Sequence, residues 1–69
     1  MVEVFKTNIT QKGDANKIVQ HLKEYLPAAK INFDLDDCDN ILRIEYSLVS
    51  EVEVTKILTT QGFYCEVLE

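Results

Sequence analysis

The sequence predicts an α+β fold whose elements run β, α, β, β, α, β, with one antiparallel sheet and both helices on one of its faces. Three observations predict it. Two segments alternate apolar and polar residues at period two, and two others gather their apolar residues on a single helical stripe. The third is size: 69 residues form one domain at most.

Val2 to Ile9 mixes Val, Phe, Thr and Ile with charges and reads as the first strand. Val2 and Val4 point one way and Phe5 and Thr7 the other, which leaves open the face that is buried. Thr10 to Gly13 breaks the strand, and Asp14 is placed to cap a helix. Ile18, Val19, Leu22, Tyr25 and Leu26 then share one stripe, Lys17, Gln20, Lys23 and Glu24 take the wet side, and Pro27 stops the helix.

Ile31, Phe33 and Leu35 alternate with Asn32, Asp34 and Asp36, as Leu42, Ile44 and Tyr46 do with Arg43 and Glu45. The Asp36–Asn40 segment between them supplies turn residues, so the pair reads as a hairpin. Ser50-Glu51-Val52-Glu53 is a capping box, and Val49 and Val54 flank it as a hydrophobic staple. Val54, Ile57 and Leu58 continue a buried stripe to Gly62, which stands where a left-handed residue ends a helix. Phe63 to Leu68 is the last strand. The split βαβ arrangement satisfies this order with right-handed crossovers and a sheet ordered 4-1-3-2, a ferredoxin-like architecture over residues 1–69.

Charge narrows the function classes. Twelve acids against 7 bases give a net charge of −5, and the bases are dispersed. A polyanion needs clustered Lys and Arg, so neither nucleic acid nor an anionic membrane is an expected partner. Two cysteines are too few for the disulfide framework of a secreted mini-protein. No run of 18 apolar residues exists, and the strand at Val2 to Phe5 leaves no leader in view, so the expected location is cytoplasmic.

With these elements in place, Thr7-Asn8-Ile9-Thr10 at the end of strand 1 and Gly62-Phe63 before strand 4 resemble the heavy-metal-associated (HMA) domain family. The resemblance covers nearly the whole chain. It implies the same fold, and it implies soft-metal carriage through a Cys-x-x-Cys that follows the Ile-Thr pair. That motif is missing here. Gln11 and Asp14 stand at its two positions, with Lys12 and Gly13 between them. An amide and a hard carboxylate do not suit Cu(I), and Lys12 opposes a bound cation. No metal and no cofactor is therefore expected at Gln11 and Asp14.

Other residues offer less chemistry. Cys38 falls in the hairpin turn and Cys65 near the start of strand 4. Strands 2 and 4 lie three spacings apart, roughly 14 Å, too far for a disulfide or a shared ion. Cys65 reads as a small buried residue and Cys38 as an exposed thiol. His21 borders the stripe of helix 1 with no Cys or His at i+3 or i+4. Asp34-x-Asp36-x-Cys38 departs from a calcium loop at its third ligand and lacks the following Gly. No phosphate loop and no nucleophile–base pair occurs, so catalysis is not expected.

Three functions remain in view. In the first, an HMA-like domain without its ion docks a protein through Thr10, Gln11, Lys12, Gly13, Asp14, Asn16 and Lys17, as a monomer or weak dimer. In the second, substitute ligands from Asp14, His21 and Cys65, or ligands shared between two chains, carry a metal of Zn or Ni type. The third is a small-ligand regulatory domain that pairs through exposed strand edges.

Overall fold

Each strand of the sheet is held in antiparallel register by its neighbour. In the computed structural model, which describes residues 2–68, the elements are β1 (Val2–Thr7), α1 (Lys12–Tyr25), β2 (Lys30–Asp34), β3 (Ile41–Glu45), α2 (Glu51–Thr60) and β4 (Cys65–Leu68). The sheet order is β2-β3-β1-β4, the expected 4-1-3-2 read from the other edge. Phe5 lies opposite Leu42 on β3 and opposite Val67 on β4, so β1 runs through the middle of the sheet.

Phe5 and Thr7 are buried while Val2 is half exposed, so the Phe5 face carries the core. Phe5, Leu42, Ile44 and Cys65 from the sheet meet Ile18 and Leu22 of α1 and Val54 and Leu58 of α2 in one cluster. Ile9 is fully buried although β1 ends at Thr7, two residues short of the expected end. It enters the core from the β1–α1 loop.

Three more expectations are corrected. Asp14 is not the cap of α1: the helix begins at Lys12, Gln11 is the N-cap without a side-chain hydrogen bond, and Asp14 lies in the first turn. A carboxylate in the first turn complements the positive end of the helix dipole. Tyr25 does not join the buried stripe. It is exposed at the last residue of α1, whereas Leu26, expected in the same stripe, is buried just past the helix end. Strand β2 ends at Asp34, because Leu35 and Asp36 already belong to the turn.

Helix α2 fits its signals at both ends. The Ser50 hydroxyl accepts from the Glu53 N–H at 3.3 Å, and Val49 and Val54 are both buried in the core cluster. At the other end Gly62 has φ +89°, its N–H donates to the Thr59 carbonyl at 3.0 Å, and the Phe63 N–H donates to the Leu58 carbonyl at 3.0 Å. These two bonds form a Schellman motif, which satisfies carbonyls that the helix would leave open.

Candidate functional site: the loop end of the sheet

Three connections converge where β1 ends. The Thr7 N–H donates to the Asp39 carbonyl at 3.1 Å, and the Thr7 hydroxyl donates to the Asn40 carbonyl at 2.6 Å. The same hydroxyl oxygen accepts from the Ile9 N–H at 3.2 Å. One buried threonine thus ties the hairpin turn to the start of the β1–α1 loop. The Asn8 side-chain oxygen accepts from the Tyr64 N–H at 2.8 Å, which brings in the α2–β4 connection. Buried and bonded, Thr7 and Ile9 hold the loop from below.

Above this anchor the loop and the first turns of α1 are polar and open. Thr10, Gln11, Lys12, Gly13, Asn16 and Lys17 are exposed, and Asp14 is intermediate. All the residues expected to form a partner surface therefore belong to one continuous stretch of chain at one end of the molecule. Gln11 and Asp14 bracket the start of α1.

The candidate substitute ligands are not gathered. Cys65 is buried on β4 opposite Thr7, and burial pushes its thiol up to about 11, against a smaller lowering by a hydrogen bond with Thr55. His21 lies on α1, in a shallow groove of about 400 Å³ between the helices, with Glu24, Tyr25, Glu53 and Lys56, and Cys65 is not among the residues that line it. Among the described residues, the ligating groups that do cluster are Asp37, Cys38 and Asp39, within 4.8 Å of one another in the hairpin turn. The acids Asp34, Asp36, Asp37 and Asp39 stand out in the sequence as one cluster, but its calcium-loop spacing runs through Asp34, Asp36 and Cys38, and that spacing does not single out the Asp37-Cys38-Asp39 set. The signal available was adjacency in a tight turn: Asp37 Oδ1 accepts from the Asp39 N–H at 2.9 Å, and Asn40 follows at φ +48°.

Electrostatics at this end is local. Lys6 Nζ approaches Asp39 Oδ1 at 3.6 Å, an exposed pair that contributes under about 1 kcal/mol. The Tyr64 hydroxyl donates to Glu66, and that bond to a carboxylate raises the phenol above its ordinary value. Both are rim contacts. What the arrangement supplies is a fixed backbone carrying a polar face.

Cys38 and Cys65 are both free thiols, the first exposed and the second buried. The Thr7 bonds to Asp39 and Asn40 continue the β1–β3 ladder into the end of the turn that carries Cys38. No helix among the described residues is long and apolar enough to cross a membrane. No family model, curated protein or solved structure matches this chain.

Proposed function

We propose that this domain is a non-catalytic protein-recognition module that meets its partner with the loop end, through Thr10, Gln11, Lys12, Gly13, Asp14 and Lys17. The observation that carries the reading is the anchoring of that loop. Its base is fixed by the Thr7 hydroxyl and by Asn8, while its outer residues are exposed and polar. A face held in place before binding loses little conformational freedom when it docks, and mixed charge at its rim steers encounter. The likeness to HMA domains lends the same surface a role, since that family docks partners at this loop and first helix.

The test compares the domain with a variant carrying Gln11→Ala, Lys12→Glu and Lys17→Glu as baits in cell extract, read by quantitative mass spectrometry. The reading expects proteins retained by the natural face and lost, about tenfold or more, from the variant. Equal retention by both baits refutes it. Substitute-ligand metal carriage is the competing reading, and amide NMR during separate Cu(I) and Zn(II) titrations separates the two. Stoichiometric shifts at Gln11 to Asp14, His21 or Cys65 would establish a metal carrier, whereas weak diffuse shifts eliminate metal carriage and leave the partner-capture comparison to decide.

A further inference from the structure

We propose that β2 is a self-pairing edge: two copies of this chain join antiparallel, β2 to β2, about a two-fold axis at Asn32. The sheet ends at β2, which pairs with β3 on one side and with no strand on the other among the described residues. An edge of this kind presents unmet N–H and C=O groups to any strand that fits it. β2 is five residues long, Lys30-Ile31-Asn32-Phe33-Asp34, without proline. Its ladder to β3 is continuous through all of them, so no bulge twists the edge away.

Its sequence fits a second copy of itself. Antiparallel pairing about Asn32 sets Lys30 opposite Asp34 of the other copy at both ends, and Ile31 opposite Phe33. Lys30, Asn32 and Asp34 are exposed on the open face, while Ile31 and Phe33 are half-buried on the helix side. The register therefore joins charges of opposite sign on the wet face and apolar side chains on the dry one. A shift by one residue mixes the two faces. A shift by two sets Lys30 against Asn32 or Asn32 against Asp34 and loses the ion pairs. Parallel in-register pairing brings Lys30 against Lys30. One register satisfies charge and burial together.

The opposite edge does not share this property. On β4, Cys65-Glu66-Val67-Leu68, pairing about Glu66 sets two carboxylates face to face, and pairing about Val67 sets Glu66 against Leu68. Self-association is thereby directed to β2, and growth past the dimer is discouraged. A groove of about 690 Å³ runs along the β2 edge, between Lys12, Asn16 and Val19 of α1 and Ile31 and Phe33 of β2, and it reaches the polar Asn32 and Arg43. Contacts between Ile31 and Phe33 across the axis close its open side. A contact based on one short strand gives a weak dimer in which two four-stranded sheets become one. The paired residues are those of β2 alone, and the groove beside them meets the loop-end face at Lys12 and Asn16.

Sedimentation velocity from micromolar to millimolar protein tests it, in a Cys38→Ser background that removes thiol cross-links. The mass should rise toward twice that of the monomer. Lys30→Asp and Asp34→Lys, taken singly, set like charges opposite each other twice and should each weaken association about tenfold. The two together exchange the partners and should restore it to within about threefold. Asn32→Cys in the same background should cross-link across the axis on oxidation, while the background protein should not. A monomer at millimolar concentration overturns the proposal, and then an extended segment of another protein becomes the occupant to seek. A dimer indifferent to the single reversals, or not restored by the double one, overturns it as well.

Discussion

The hydroxyl of Thr7 and the carbonyl of Asn40 lie 2.6 Å apart across 33 residues of sequence, and they join the central strand to the hairpin turn. Asn40 has a positive φ of 48°, a conformation that asparagine tolerates better than most residues. The threonine therefore holds a turn residue that is itself left-handed. Thr7→Val keeps the shape and removes the hydroxyl, which strands the buried Ile9 N–H and the Asn40 carbonyl. Urea unfolding should show a loss of about 1–3 kcal/mol. Thr7→Ser keeps both bonds and should lose clearly less.

Helix α2 should be sensitive at both ends for different reasons. Ser50→Ala removes the acceptor for the Glu53 N–H and should cost about 1 kcal/mol. A Cβ at Gly62 would meet nothing within 4 Å, so the cost of Gly62→Ala is wholly that of holding φ at +89°. We expect about 1 kcal/mol for Gly62→Ala and less for Gly62→Asn, measured by thermal unfolding.

The two thiols should separate cleanly by reactivity. At pH 8 a maleimide should label exposed Cys38 within minutes, while buried Cys65 should react only as the chain opens. Alkaline stability should follow the same residue. The Cys65 thiol titrates near 11 when folded, against an ordinary value of 9.0, so the folded chain keeps a proton that the unfolded chain gives up. Its stabilising contribution is complete below about pH 9 and is lost as pH rises toward 11. Cys65→Ala should flatten that part of the stability–pH curve, as read from urea midpoints.

Elements defined by strong local chemistry were legible in the sequence. The Ser50 cap, the glycine at 62 and the alternation from Ile31 to Asp34 and from Leu42 to Glu45 each depend on neighbours a few residues away, and these occur as expected. The boundary of α1 was not legible, because Asp14 is as favourable within a first turn as at a cap and Gln11 carries no strong signal. The buried face of β1 was also hidden. Its two faces are nearly equal in hydrophobicity, and the choice is made by Leu42, Ile44 and the helices, which are distant in sequence. At the loop end, residue types and exposure were readable. The Thr7–Asn40 and Asn8–Tyr64 bonds were not, since only the folded sheet brings those residues together.

The pairing of Val4 with Leu68 places the first and last strands side by side and antiparallel. Chain entering β1 and chain leaving β4 therefore pass through the same pole of the molecule, while Thr10 to Lys17 crown the other. A tag, a surface attachment or a second coding unit joined at either terminus would stand clear of the crown. The topology makes this a plug-like body, gripped at one pole and presenting the other.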